Sequence, residues 1–304
     1  MTELSKESWL KERQNHIGAS EVADILGFGR HGALYVWDQK INGTTNDLSD
    51  ETGEIEFGLD AENGIAKMFK KRTGRNIINK GLEFVYHPQV PWLAATLDRY
   101  EMGSIDFPEP ASGMGALEVK HVGAPKFPAS EWSQDNQEIL MHVVQNQIQM
   151  ACAGLNWGSI VGLYPYYQLP WFDQLRDDDF IDGIIEELDK FWTNNVKNKI
   201  PPEPNNWRDL PVVKKLFPIG NKDETKVLGQ VELELARKRH LNKQVIKTAQ
   251  EQVSEIDAKL IFAMGTATKG ILLDGSTLTL KSIHRKAYQV AETEYRELRH
   301  HQAK

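Results

Sequence analysis

Cysteine is all but missing from this chain. Cys152 is the only one among 304 residues, which excludes an intramolecular disulfide and any cluster of thiolate metal ligands, iron–sulfur centres included. Long apolar runs are missing as well: no stretch of roughly 18 apolar residues occurs, so no membrane association through a spanning helix is expected. The opening segment, MTELSKESWLKERQNH, is polar and lacks the apolar stretch of an export signal, so a cytoplasmic location is expected. No internal repeat is apparent. Basic charge is also in deficit, with 36 Lys+Arg against 43 Asp+Glu and a formal net charge of −7. The deficit is uneven. Residues 221–304 hold 15 Lys+Arg against 11 Asp+Glu, whereas residues 1–220 hold 21 against 32. An acidic body with a basic tail suits nucleic acid only if basic side chains line one groove, so charge alone does not favour that partner.

What is present is ordinary for a globular protein, at 40% hydrophobic and 26% charged residues. The length admits one large domain, or one domain with an appendage. Ser20 can cap a helix over 21–26 that stops at Gly27. A second helix is expected over Ala33–Ile41, followed by a polar loop over Asn42–Glu54. An amphipathic helix is expected from about Gly58 to Thr73, with Leu59, Ile65, Ala66, Met68 and Phe69 inward, closed by Gly74. The period then falls toward two. Asn76–Ile78, Leu82–His87, Leu93–Asp98, Ala116–His121 and Ser159–Tyr167 read as strands. Gln137–Ala153 and Phe180–Asn198 read as helices, the second stopped by Pro201-Pro202. The order predicts an α/β (α+β) fold with a mixed sheet flanked by helices. Beyond Pro218, Leu228 to Leu260 repeat at helical spacing in one long helix, and Asp274-Gly275-Ser276 marks a hairpin.

The residues with the clearest chemistry are Asp98, Glu118 and Lys120. Asp98 is placed at the end of one predicted strand. Glu118 and Lys120, two apart on the next, share a face. Converging carboxylates make a hard oxygen site suited to Mg²⁺ or Mn²⁺, which would polarise a scissile phosphate and acidify a bound water. Lys120 beside it would orient or deprotonate that water, or offset developing charge. The triplet alone is weak, because Asp38-x-Lys40 and Asp257-x-Lys259 share the pattern. Its setting among Leu, Ala and Val strengthens it, since an unpaired charge there is costly. Glu62, upstream on the amphipathic helix, is either a third carboxylate or part of a solvated face.

Several motifs occur in a fixed order. They are RQNHIGASEVADILG with Arg13 and Ser20, LYVWDQKING at 34–43, Gly58-(x3)-Glu62 with RTGRNI at 72–77, HPQVPWLAATLD at 87–98 and ALEVK at 116–120. Gln145-x-Gln147-x-Gln149-Met150 and FW at 191–192 follow. Over roughly residues 10–205 the chain resembles the YqaJ viral recombinase family, lambda-exonuclease-like members of the PD-(D/E)XK nuclease superfamily. The resemblance implies a restriction-endonuclease-like nuclease core over 1–220, with the long helix and hairpin of 221–304 as an appendage for assembly, partner or DNA contact. It implies metal binding by Asp98, Glu118 and the Val119 carbonyl with Glu62 close by, and Lys120 as catalytic lysine. Gln145 is then the better candidate to contact water or phosphate, with Gln147 beside it, and Arg13 and Ser20 bind a terminal phosphate. Two departures stand out: Leu97 precedes Asp98 where the superfamily pattern has proline, and His121-Val122-Gly123 follows Lys120.

The activity so implied is Mg²⁺-dependent (Mn²⁺ in its place) 5′-to-3′ degradation of linear double-stranded DNA with free ends, exposing 3′ single strands for phage-type homologous recombination in a bacterial host cell. A single-strand annealing protein is the implied partner, and a homo-oligomeric ring, with a trimer as its candidate number, the implied assembly. A structure-specific DNA endonuclease of the same fold and a non-catalytic DNA-binding protein remain as alternatives. Lys281, His284, Arg285 and Lys286 are DNA-contact candidates or a solvated surface, and the aromatic residues of YPYYQLPW (164–171) either stack on bases or belong to core and sheet edge.

Overall fold

The hydrophobic period changes at Gly74, whose φ of 75° ends the amphipathic helix. The computed structural model describes residues 8, 11–43, 54–79, 83–103, 112–284 and 298–299. Two compact units divide the chain, Met1–Leu216 and Phe217–Lys304.

The first unit begins with strand β1 (Ile17–Gly18), a 3-10 turn over Ala19–Glu21 and the short helix α1 (Val22–Ile25). Helix α2 spans Ala33–Asn42, and the amphipathic helix α3 spans Glu54–Thr73, a turn earlier than its apolar pattern suggests. Ile65, Ala66 and Phe69 of α3 are buried and Lys67, Lys70 and Lys71 exposed, as the spacing requires. Leu59's side chain lies outside the described residues, as do 44–53 of the predicted polar loop and Leu82 of the predicted strand. Strands β2 (Asn76–Asn79), β3 (Val85–Tyr86), β4 (Leu93–Ala95), β5 (Arg99–Met102) and β6 (Met114–His121) follow. Helix α4 (Leu140–Ala153) ends at Gly154 in the left-handed region. Strand β7 (Trp157–Leu163), strand β8 (Trp171–Leu175), helix α5 (Asp178–Phe191, continued by a π turn over Trp192–Lys197) and helix α6 (Leu210–Leu216) complete the unit.

Two sheets result. β1, β4 and β3 form a small three-stranded sheet, and the main sheet runs β2-β5-β6-β7-β8 with only β6 and β7 parallel. The mixed α/β architecture is therefore as expected, with two differences. The run predicted as one strand over Leu93–Asp98 is divided: β4 ends at Ala95 in the small sheet, and the chain crosses to the main sheet, where β5 pairs with β6. Asp98 thus sits in the crossing, not at a strand end. β5 and β8 escape a hydrophobic pattern search because RYEM and WFDQL each carry a buried or half-buried charge, Glu101 and Asp173, held by Arg75. The Tyr-rich segment is a tight reversal between β7 and β8: Tyr166 and Tyr167 adopt positive φ and are exposed, whereas Tyr164 is buried.

α4 and α3 lie on opposite faces of the main sheet. Ala116 packs with Val144 and Ile148 of α4, while Leu117, Val119 and Val161 pack with Ile65 and Phe69 of α3.

In the second unit, helix α7 runs from Gln230 to Met264 with none of its residues buried. The hairpin of β9 (Lys269–Ile271) and β10 (Thr277–Thr279) turns through Gly275 at φ 83°. Lys281 and His284 are exposed, and Arg285 and Lys286 lie outside the described residues. Among the described residues no helix is long and apolar enough to cross a membrane.

Candidate active site

The pleat of β6 divides its side chains between two helices. With Leu117 and Val119 committed to the α3 face, Glu118 falls on the α4 face beside Ala116. α4 comes close because β7 has a glycine there: a Cβ on Gly158 would lie 2.6 Å from Asn146 Oδ1 and 2.7 Å from the Ala116 carbonyl. Three residues beyond Asn146 on the same helical face, Gln149 Nε2 donates to Glu118 Oε2 at 2.6 Å and to the Thr96 carbonyl at 3.1 Å. Glu118 is fully buried. Its other oxygen is ion-paired with Lys120, whose side chain reaches solvent.

Asp98 is fastened to the same strand from the opposite direction. The Val119 N–H donates to Asp98 Oδ2 at 2.8 Å, which sets the carboxyl between Glu118 and Lys120 in sequence. Glu62, from α3, approaches through Arg99, with Arg99 Nη1 and Glu62 Oε2 3.8 Å apart. Burial and the neighbouring Glu118 push the Asp98 carboxyl well above its usual range, against the opposing pull of Lys120. Burial also raises Glu62, with Glu118 adding to it and Arg99 opposing. Burial would depress Lys120, but Glu118 and Asp98 outweigh it and hold the ammonium above its ordinary value.

This is a cluster short of positive charge. Three carboxylates, all hard oxygen donors, share one lysine and a more distant arginine, and burial, with their mutual repulsion adding to it, raises two of them. Such a donor set fits Mg²⁺ or Mn²⁺ and offers nothing to a soft cation. Among the described residues no three His, Cys, Asp or Glu side chains converge on one ion position. The candidate ligands are accordingly the Asp98 and Glu118 carboxylates with the Val119 carbonyl, and Glu62 stands further off.

A second group lies at the front of the chain. Arg13, Ser20 and Gln145 line one small pocket together with Gly18, Ala19, Phe84 and Thr96. Ser20 does not cap a helix. It lies inside the 3-10 turn, and the cap position belongs to Gly18, whose N–H donates to Glu21 Oε2 at 2.8 Å. Ser20 is left exposed, its side chain free of that task. Glu21 is buried between two cations, Arg13 at 2.9 Å and Lys40 at 2.6 Å. Burial alone would raise its carboxyl, but Lys40 and Arg13 hold it down at about 2. A larger pocket of about 320 Å³, lined by Ile25, Glu187, Lys190 and Asn195 among others, touches neither group and contains no residue of the acidic cluster.

α4 therefore serves both groups, but with different glutamines than the spacing suggested. At about 100° per residue, Gln147 points nearly opposite to Gln145 and Gln149. It is buried away from the site, accepting from the Asp177 N–H and donating to Gln174 and the Leu175 carbonyl. The expectation that Gln147 contacts phosphate or DNA is corrected accordingly. Gln149 is the residue the sequence reading missed, although its i,i+4 relation to Gln145 marked the face. His142 extends that face by one turn, and burial, with Lys120 and Arg30 adding, pushes its imidazole well below the usual value.

A mixed sheet flanked by helices, with Asp98 ahead of β5 and Glu118-x-Lys120 on the adjoining β6, is an α/β arrangement that gathers two carboxylates beside one lysine. Residues 8–156 match the family model of the YqaJ-like viral recombinase domain. The chain is 24% identical over 275 residues to the uncharacterized protein YqaJ of Bacillus subtilis (strain 168), covering 89% of this chain and 82% of that protein. Among solved structures it is similar to an alkaline exonuclease (LHK-Exo) from Laribacter hongkongensis, with a TM-score of 0.46 and 22% identity over 64% of this chain and 94% of that one. The same enzyme in complex with dAMP gives 0.47 and 20%, over 69% and 100%.

Proposed function

We propose that the protein is a Mg²⁺-dependent DNA exonuclease, with Mn²⁺ able to substitute, that degrades linear duplexes from 5′ ends and leaves 3′ single strands for recombination. The observation that carries this reading is the buried, charge-deficient cluster of Asp98, Glu118 and Lys120. A divalent ion held by Asp98, Glu118 and the Val119 carbonyl would supply Lewis acidity toward the phosphodiester and a more acidic water. Lys120, already an ammonium against Glu118, donates to a non-bridging phosphate oxygen and offsets charge as it develops. Gln149 holds the Glu118 carboxylate in one orientation. Gln145, in the pocket with Arg13 and Ser20, adds an amide to the phosphate contacts. Residues 1–220 form the nuclease domain in this reading and 221–304 the appendage. The family resemblance adds an annealing protein for the exposed single strand, a ring-shaped homo-oligomer and a cytoplasmic setting.

Arg13 and the exposed Ser20 hydroxyl make the pocket a receptor for a terminal phosphate. End-labelled linear duplex with Mg²⁺ is expected to be degraded faster from 5′-phosphate than from 5′-hydroxyl ends, by about tenfold given the worth of a charge-assisted contact. Ser20→Ala should shrink that ratio while leaving hydroxyl-ended DNA unaffected. Equal rates on both ends in the parent protein remove the pocket from the mechanism. Cutting of a nick-free circle would replace the exonuclease reading with an endonuclease one.

Gln149→Leu keeps the helix packed but withdraws the donor from Glu118. Supports of this kind are worth about 10- to 100-fold in metal affinity or activity. The expected result is a higher Mg²⁺ requirement, measured as the concentration giving half-maximal rate. An unchanged requirement would show that Glu118 is oriented without it.

A further inference from the structure

Behind Arg13 lies more positive charge than one buried carboxylate can cancel. Lys40, in the last turn of α2, has a side chain only 1% exposed. Its ammonium donates to Glu21 Oε2 at 2.6 Å and to the Arg13 carbonyl at 2.6 Å. Glu21 takes Arg13 Nη2 on its other oxygen at 2.9 Å and also accepts from the Gly18 N–H. Two cations against one carboxylate leave this group with a charge of +1.

The surrounding side chains do not absorb that charge. Asp38, two residues before Lys40, points nearly the opposite way on α2 and is paired with Lys215 at 2.8 Å. His16 is fully buried beside the group, and burial, with Lys40 adding to it, pushes its imidazole down to about 4. It is therefore neutral near pH 7. Glu12 accepts from Tyr86 at 2.7 Å and Asn15 at 3.3 Å, both neutral groups.

Charge taken out of water is costly unless it is paired, and Lys40 has no route to solvent of its own. Arg13 does, with a side chain 27% exposed, and it lines the small pocket beside Ser20 and Gln145. The surplus is thus presented where an anion can reach it. Given the terminal-phosphate pocket proposed above, we propose that Lys40 is a positioning residue for that phosphate: it neutralises Glu21, so that Arg13 is held without being cancelled, and it fixes the Arg13 backbone. With Lys40 gone, Glu21 and Arg13 close into a neutral pair, and a phosphate has to compete with a carboxylate for the guanidinium. With Lys40 present, the carboxylate is shared and the guanidinium keeps its charge for the ligand. Lys40 contacts no phosphate in this arrangement and acts only through its two neighbours.

The test uses the full chain and a short blunt duplex carrying either 5′-phosphate or 5′-hydroxyl ends, without divalent metal. Affinity is followed by fluorescence anisotropy. Binding is read and hydrolysis is not, so the acidic cluster does not enter the result. The parent should bind phosphate ends about tenfold more tightly than hydroxyl ends, as a charge-assisted contact allows. Lys40→Met, similar in length but uncharged, should bring that ratio close to one. Lys40→Met combined with Glu21→Gln leaves Arg13 as the single charge and should return most of the preference. A lysine needed only for packing would lower the melting temperature and both affinities together, leaving their ratio unchanged. Lys40→Gln keeps a donor beside Glu21 and gives the same reading where melting curves show that Lys40→Met does not fold. Equal affinities for the two ends in the parent would remove the phosphate pocket, and this role with it. A parental preference that survives in Lys40→Met, or that the double variant fails to regain, would overturn the role of Lys40 and leave the pocket standing.

Discussion

Replacing Lys120 by alanine is expected to reduce DNA hydrolysis by about a thousandfold or more, the scale on which a preorganised charge at a transition state acts. Its ammonium is the cation nearest to Glu118, and Asp98 and Glu62 also feel it. Removal leaves Asp98 and Glu118 without their nearest cation, so the variant should bind a divalent ion at least as tightly as the parent while turning over far more slowly. Glu118→Gln and Asp98→Asn should fail differently, losing the ion as well as the rate. Single-turnover rates on 5′-phosphorylated duplex, with Mg²⁺ binding followed by calorimetry, separate the two patterns. Mg²⁺-dependent degradation retained within tenfold in Lys120→Ala would remove the lysine from the chemistry and leave it a structural counterion. DNA that the parent binds but does not cut would favour the non-catalytic alternative.

The parts of this site that could be read from sequence are those governed by a fixed local period. Glu118 and Lys120 share a face because strands alternate, and α3 turns Ile65 and Phe69 inward because helices repeat near 3.6. What could not be read depends on contacts between distant segments. Asp98 ends a run that looks like one strand, and only the crossing from the small sheet to the main one puts its carboxyl under the Val119 N–H. Gln145, Gln147 and Gln149 are equivalent as letters. The choice among them follows from where α4 lies on the sheet, which Gly158 decides by admitting Asn146. Lys40 stood in a triplet set aside as coincidence, and its partner Glu21 is 19 residues away. Arg75 was visible only as part of RTGRNI, although it gathers charges from two strands of the main sheet and a hydroxyl from a third.

That arginine has the largest expected effect on stability. Arg75 is 4% exposed and bonds to Glu101 at 3.0 Å, Ser159 at 2.9 Å and both Asp173 oxygens at 2.8 and 2.5 Å. Its guanidinium also lies over the Trp157 and Phe69 rings. Arg75→Met fills much of the same volume but strands the Glu101 and Asp173 carboxylates. Breaking a buried pair from one side costs about 3–5 kcal/mol, which for a domain near this size lowers Tm by on the order of 10 °C. The loss should depend on pH. Burial raises Glu101 to about 7 even with Arg75 in place, so between its ordinary value near 4.5 and 7 the folded protein holds a proton that the unfolded chain releases. Stability contributed by this group is therefore full in acid and declines as pH rises through that window. Arg75→Met removes a force that favours the charged form, pushing Glu101 higher still, so the variant should be penalised less at pH 5.5 than at pH 8. Glu101→Gln removes the ionisation and should recover part of the loss when combined with Arg75→Met at pH 8. Equal melting temperatures for the single and double variants at pH 8 would mean that the cost lies in the lost packing against Trp157, and not in the stranded charge.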